Sequence, residues 1–240
     1  MSKKNGIKTI TFRVDECELS QPFNRGNPKN NPFVDFKNRS ESLLAYIAEA
    51  LRKQVQLPEP HFQELSIQLS ENPSDHPELF KRKFLSVDVH YDPADALRSP
   101  SSEKETAEKF IGYLEGALDK ASQDYVFDKE AFSSGIEAYR KNGYQVNYRT
   151  AHGKLGGLGV CYEVCGSIGP RSSSAKIILN QGQHGEVSFE FWTLDEPHPL
   201  GATGFSKVAV LEDCLLISHQ SRIFDDIRIP LDQLGLLEPR

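Results

Sequence analysis

The sequence lacks long apolar runs. No stretch of its 240 residues approaches the roughly 18 consecutive apolar side chains that a membrane-spanning helix requires. The opening segment MSKKNGIKTITF carries lysines but no apolar core of the length that secretory signals have. We therefore expect a cytoplasmic protein with no membrane partner.

Cysteine is scarce as well: the chain has four, Cys17, Cys161, Cys165 and Cys214. A chain of this length buries enough apolar surface to fold without crosslinks, so we expect free, mostly buried thiols rather than a disulfide scaffold. Cys161 and Cys165 are four positions apart in a predicted strand, which separates them by about 13 Å. That distance is too long for two ligands of one zinc ion, and we expect no metal there.

The motifs of the common enzyme families are also missing. There is no HExxH, no GxGxxG and no kinase motif set. Ser167, in CGSIG, lacks the GxSxG spacing of a hydrolase nucleophile. The glycines between Gly153 and Gly159 precede a strand-like segment and lack the Lys-Ser/Thr pair of a phosphate-binding loop, so they indicate a hairpin connection. We predict no catalytic residues and no cofactor.

The chain has fewer basic residues than acidic ones. The chain carries 28 Lys and Arg against 34 Asp and Glu, a net charge of −6 with a pI near 5.7. Duplex nucleic acid and anionic membranes require a concentrated basic face, so both are disfavoured as partners. A basic protein partner remains compatible, because complementary charge speeds encounter.

The apolar pattern predicts an α+β fold. Period-two alternation predicts strands at 8–18, 61–70, 84–91 and 144–149, and almost continuously through Ser174–Leu231. Spacings of three and four predict about three helices, over Ser40–Gln56, from the capping box of Ser102 and Glu105, and from Asp128 to Gly143. We expect these helices to pack on a largely antiparallel sheet in the strand-rich C-terminal half. Residues 1–240 are expected to form a single domain, with a weak division near 92–102.

One candidate catalytic group lies on a predicted strand. Asp88, His90 and Asp92, in DVHYD, share one face of that strand. Acids beside an imidazole are suited to binding a divalent metal or to orienting a histidine base. A polar outer strand face explains the same pattern and is the favoured interpretation.

The segment Trp192–Phe205 (WTLDEPHPLGATGF) is the candidate partner-binding loop. It combines the only tryptophan with two acids, a histidine and two prolines. Rigid aromatic side chains flanked by charge are typical of interface hot spots. In the alternating pattern Trp192 points away from Phe189 and Phe191. The predicted partner-binding residues are Trp192, Asp195, Glu196, His198, Asp213, Asp225 and Asp226. The alternative is an ordinary loop whose tryptophan folds back onto the core.

The C-terminal third, with GFSKVAVLEDCLLI followed by IFDDIRIPLD, resembles the closing strands of bacterial toxin-immunity proteins. These are small acidic cytosolic α+β chains without catalytic motifs. The resemblance implies tight binding to a cognate toxin, and it carries over no functional residue.

The sequence therefore favours a non-enzymatic inhibitor of the immunity type that neutralises a toxin by direct binding. One alternative is an enzyme of an unfamiliar family, with a site around Asp88, His90 and Asp92 or around His198. Another is a structural or assembly subunit whose exposed strand face serves oligomerisation.

Overall fold

The computed structural model describes residues 7–14, 36, 38–53, 62–81, 83–94, 102–180, 182, 185–221 and 224–236. The chain forms two compact units, Met1–Val146 and Asn147–Arg240. The division follows Val146, whereas the sequence predicts a single domain with a weak division near 92–102. Cys17 lies outside the described residues.

The N-terminal unit combines a mixed four-stranded sheet with three helices. Its strands are β1 (Thr9–Val14), β2 (Glu64–Ser70), β3 (Glu78–Phe80) and β4 (Phe84–His90), and its helices are α1 (Glu41–Leu51), α2 (Glu103–Asp124) and α3 (Lys129–Lys141). The strand order is β1-β2-β4-β3. β1, β2 and β4 run parallel, and β3 pairs with β4 in the antiparallel direction. Parallel pairing is possible because α1 provides the crossover from β1 to β2.

The helices bury their apolar stripes in one core with this sheet. Phe110 of α2 contacts Phe12 of β1 edge to face, with ring centroids 5.4 Å apart. α3 approaches α1 closely, since a Cβ on Gly135 would lie 2.8 Å from Ile47 Cδ1. The same interface buries a hydrogen bond of 2.7 Å between the hydroxyls of Ser42 and Tyr139. The buried faces of these helices therefore belong to the core of the N-terminal unit, whereas the sequence predicted that they pack on the C-terminal strands.

The predicted helix starts are largely confirmed. Ser102 accepts a hydrogen bond from Glu105 N, and Asp128 accepts one from Ala131 N, so both side chains cap their helices. Gly143 has φ +67° directly after α3, as a helix stop requires. Ser40 precedes α1, but its side chain makes no capping hydrogen bond.

An ion pair joins α2 to the end of α3. Arg140 binds Glu108 through two hydrogen bonds, of 3.0 Å from Nε and 2.8 Å from Nη2, and Tyr144 donates a third to the same carboxylate. The hydrogen bonds from Arg140 lower the pKa of Glu108, against an opposing effect of burial. Both partners of the pair are about one-third exposed.

We expect Glu108→Gln to destabilise the N-terminal unit by about 1 kcal/mol at pH 7, a figure limited by solvent screening of the pair. Because the pKa of Glu108 is lower in the folded state than in the unfolded state, its ion pair stabilises the fold fully at pH values above the ordinary glutamate pKa. This stabilisation is lost as the pH falls through the pKa of Glu108 in the folded state. The difference from wild type should therefore shrink in acid. Amide hydrogen exchange of α2 and α3 at pH 7 and pH 4 measures it. Glu137→Gln, which removes Arg140's more exposed partner, is the control. A difference that does not change with pH would contradict the assignment.

The C-terminal unit is built from two antiparallel sheets. The first contains β5 (Val146–Leu155), β6 (Val160–Ile168), β7 (Ser173–Asn180) and β8 (Glu186–Leu194) in that order. A one-turn helix, α4 (Pro199–Thr203), follows β8. The second contains β9 (Phe205–Val210), β10 (Cys214–His219) and β11 (Ile227–Pro230), with β10 in the centre. A separate core, which includes Val164, Ile177, Phe205 and Ile217, lies in this unit.

The α+β class and the strand-rich C-terminal half are confirmed. What the sequence did not predict is the parallel pairing in the N-terminal sheet and the short strand β3 at its edge. Within the described residues, no helix is both long enough and apolar enough to cross a membrane.

Candidate functional site

The short helix α4 is fixed tightly to the sheets of the C-terminal unit. Ala202 is fully buried against Gly166 of β6, where a Cβ would lie only 2.0 Å from the Ala202 carbonyl oxygen. The His198 amide, at the helix start, donates a hydrogen bond of 2.7 Å to the buried Ser173 hydroxyl of β7. On the other side of α4, the Gln220 amide donates to the Gly204 carbonyl. The position of α4 is thus set by contacts with three separate segments.

Two histidines hold the backbone of α4 through their ring nitrogens. His198 Nδ1 accepts a hydrogen bond from Gly201 N and so caps the helix. His219 Nδ1 accepts from Ser221 N at 2.9 Å, which leaves the proton on Nε2. That Nε2 lies 2.9 Å from the Leu200 carbonyl oxygen, to which it donates. These histidines act as structural supports of the turn.

A β-bulge in β8 places Trp192 under α4. Ala175 of β7 pairs with Trp192, but Lys176 pairs with Glu190, so Phe191 is the extra residue. Both Phe191 and Trp192 therefore contact Phe205, at ring-centroid distances of 5.1 and 5.9 Å. The prediction that these two rings point in opposite directions is wrong, because the bulge interrupts the alternation.

The half-buried Trp192 forms the base of an aromatic cluster. Its ring lies so close to Gly201 that a Cβ there would meet it at 2.6 Å. Phe224 contacts Trp192 edge to face at 5.7 Å and also packs on His198 and His219. Trp192 therefore packs beneath α4 and supports it. This corresponds to the alternative stated for the sequence, in which the tryptophan folds back onto the core rather than contacting a partner.

Leu200 protrudes from this rigid base. Its side chain is 66% exposed. Its carbonyl accepts hydrogen bonds from both His219 Nε2 and Gly204 N, so the backbone that carries it is held at two points. Exposed acids stand beside the cluster in sequence: Asp195 and Glu196 before His198, and Asp225 and Asp226 after Phe224. We call Leu200 with these four carboxylates the Leu200 surface.

Within the described part of the chain, the acids of the Leu200 surface have no ion-pair partner. None of Asp195, Glu196, Asp225 and Asp226 forms an ion pair with any residue that the structure describes. An exposed aliphatic side chain on an ordered turn, with exposed acidic residues in the segments that flank it, is an arrangement that can bind a positively charged protein surface.

Asp213 lies apart from the other predicted partner-binding residues. It precedes β10, whereas His219 ends that strand. A strand of this length separates the two ends by roughly 20 Å. Asp225 and Asp226 precede β11, which runs antiparallel to β10, so they lie at the His219 end. The structure thus places Asp225 and Asp226 at one end of this sheet and Asp213 at the other.

The alternative group around His90 serves the local fold. Asp88 Oδ2 accepts a hydrogen bond from Ser74 N, and His90 Nδ1 lies 3.0 Å from the Glu71 carbonyl oxygen. Both side chains therefore hold the loop that follows β2 in place. Asp92 accepts from Ala94 N at 2.8 Å. Among the described residues, no three or more His, Cys, Asp or Glu side chains are grouped to hold a metal.

The glycine cluster and the cysteines also have simple structural roles. Gly157 and Gly159, with φ of +82° and +66°, lie in the turn between β5 and β6, as the hairpin interpretation predicted. Cys161 is exposed, and Cys165 and Cys214 are partly buried, so the expectation of mostly buried thiols is wrong for Cys161. All three are free.

Leu200, Phe224 and His219 were not predicted as site residues. Phe224 directly precedes the predicted Asp225, which gave a local signal for it. Leu200 gave none, because an isolated leucine between two turns has the same local pattern whether it is buried or exposed.

Comparisons of the chain with protein-family models, with characterised proteins and with solved structures found no match.

Proposed function

We propose that this chain is a non-enzymatic, cytoplasmic protein inhibitor of the immunity type, which neutralises a cognate toxin by direct binding through the Leu200 surface. The observation that supports it most is the exposure of Leu200 on a backbone fixed by His219, Gly204 and the packing of Trp192.

The geometry of the Leu200 surface resembles an interface hot spot. Such spots place an apolar anchor at the centre and polar groups at the rim, and a rigid anchor loses little conformational entropy on binding. Leu200 provides the anchor, and its turn is already ordered by hydrogen bonds to its carbonyl. This chain therefore loses little backbone conformational entropy at this point of contact.

Charge identifies the kind of partner. The four carboxylates of the Leu200 surface form no ion pair with any described residue, and the whole chain carries a net charge of −6. A basic protein with an apolar pocket complements both features. A toxin that acts on nucleic acid is a protein of this kind, since it carries a basic face for its substrate.

The test is the affinity for the protein encoded beside this chain, measured by calorimetry at low and moderate salt. Leu200→Asp should weaken binding at least tenfold, because it places a charge in the partner's apolar pocket. Binding by wild type should weaken as salt rises, since the acids are exposed. Leu79→Asp, at a leucine 37% exposed on β3 of the N-terminal unit, is the matched control and should bind as wild type.

Two results would count against the proposal. In the first, Leu200→Asp retains full affinity while Leu79→Asp loses it, which would move the interface to the edge of the N-terminal sheet. In the second, no protein encoded nearby binds, and the purified chain self-associates in a way that Leu79→Asp disrupts. That outcome would favour the assembly subunit.

A further inference from the structure

We propose a second binding site, separate from the Leu200 surface: a cleft on the outer face of the β5–β8 sheet that binds a short peptide with free termini. The cleft has a volume of about 460 Å³, within the usual range of small-ligand sites. All four strands contribute to its lining, through His152 and Lys154, Cys161 and Glu163, Ile178 and Asn180, and Glu186.

The strand register arranges the lining in a row. Cys161 of β6 pairs with Asn180 of β7, and Asn180 pairs with Glu186 of β8. Lys154 lies on β5, the strand on the other side of β6. A row of a thiol, an amide and a glutamate therefore crosses β6, β7 and β8, and Lys154 lines the cleft on the β5 side of this row. Ile178, which pairs with Glu163, gives the cleft an apolar side chain beside this row.

The charges at the two ends of the row are free to meet a ligand. Glu163, in the middle of the cleft, is paired with Arg149 at 3.3 Å. Lys154 and Glu186 form no ion pair with any described residue. The cleft thus presents one free cation and one free carboxylate, and a ligand that satisfies both must itself carry both charges.

The spacing of the strands that carry Lys154 and Glu186 indicates the length of the ligand. Three inter-strand steps from β5 to β8 span about 14 Å. An extended chain rises about 3.4 Å per residue, so a peptide of about four residues reaches from one charge to the other. Its carboxylate would bind Lys154 and its ammonium group Glu186.

Asn180 is positioned to bind the peptide between its ends. Its Oδ1 accepts a hydrogen bond from Gly182 N at 2.9 Å, which fixes the side-chain amide. The Nδ2 group then remains available to donate to a peptide carbonyl in the cleft.

The probe is tetraalanine with free termini, titrated into the full chain while amide chemical shifts are recorded by NMR. We expect saturable shifts confined to residues of β5–β8 that line the cleft. Acetylated and amidated tetraalanine, which lacks both charges, should bind at least threefold more weakly.

Two variants test which charged residue of the cleft binds each terminus of the peptide. Lys154→Met and Glu186→Gln should each weaken tetraalanine binding about threefold, and each should leave the affinity for the peptide with the corresponding end capped unchanged. Lys207→Met, at an exposed lysine on β9, is the matched control. Leu200→Asp should bind tetraalanine as wild type, so failure of the cleft and failure of the proposed function are separable.

Shifts that map outside the cleft, or an absence of shifts at millimolar peptide, would overturn the proposal. Equal affinity for the free and the capped peptide would overturn it as well, since the charges would then have no role.

Discussion

Gly166→Ala is expected to destabilise the C-terminal unit by about 3 kcal/mol, the upper end of the usual cost of overpacking. The added Cβ would lie 2.0 Å from the Ala202 carbonyl oxygen and 2.6 Å from its carbon. These are backbone atoms, so no side-chain rotation relieves the clash. Helix α4 would have to move away from β6, against the hydrogen bonds that Ser173 and His219 make with it.

The single tryptophan provides the measurement for this variant. Trp192 lies beneath α4, so its fluorescence during urea unfolding reports the C-terminal unit. The urea midpoint should fall by about 1–2 M. Gly156→Ala is the control, because a Cβ at Gly156 meets no atom within 4 Å and its φ is not positive. Equal midpoints for Gly166→Ala and wild type would show that α4 does not rest on β6 as described.

Trp192→Ala is expected to have the second-largest effect, a loss of about 2–3 kcal/mol in the free energy of unfolding of the C-terminal unit. The indole contacts Phe205, Phe224 and Gly201, and its removal leaves a cavity beneath α4. The cost stays below that of a fully buried tryptophan because the ring is half-buried.

Amide hydrogen exchange of β8 and β9 measures this loss without the tryptophan signal. Trp192→Phe, which keeps an aromatic ring beneath α4, should lose about 1 kcal/mol or less. If Trp192→Ala folds as stably as wild type yet no longer binds the partner, Trp192 is itself the hot spot, and its assignment as a support is wrong.

The starts of α2 and α3 and the end of α3 were predictable from the sequence, because each depends on residues that are close together in the chain. Ser102 and Asp128 cap their helices through bonds to residues three positions away, and Gly143 stops α3 within one turn. Such contacts are encoded by neighbouring residues, so the sequence predicts them directly.

Contacts between distant segments were not predictable in this way. The bulge opposite Ala175 reverses the direction of Trp192 by inserting one residue, and alternation alone does not reveal it. The exposure of Leu200 depends on the space that Gly166 leaves for Ala202, 36 positions away in the chain. Asp213 was grouped with the other acids because composition does not show which end of a sheet a turn occupies.

The parallel pairing of the N-terminal sheet was missed for a related reason. β2 alternates imperfectly because Ser66 is buried along with Leu65 and Ile67. A strand buried on both sides gives a weaker period-two signal than one with a solvated face. The strand β2 was therefore predictable from its residues, whereas the direction of its neighbouring strands was not.

The most direct test of the Leu200 surface is a methyl NMR titration of the chain, labelled at its leucine methyl groups, with the protein encoded beside it, which is the partner proposed above. Leu200, Leu79 and Leu211 are all exposed, and Leu211 lies at the Asp213 end of the second C-terminal sheet. We predict that the Leu200 methyl signals shift or broaden on binding while those of Leu79 and Leu211 do not change. Unchanged Leu200 signals, with changes at Leu79 or Leu211 instead, would contradict the account.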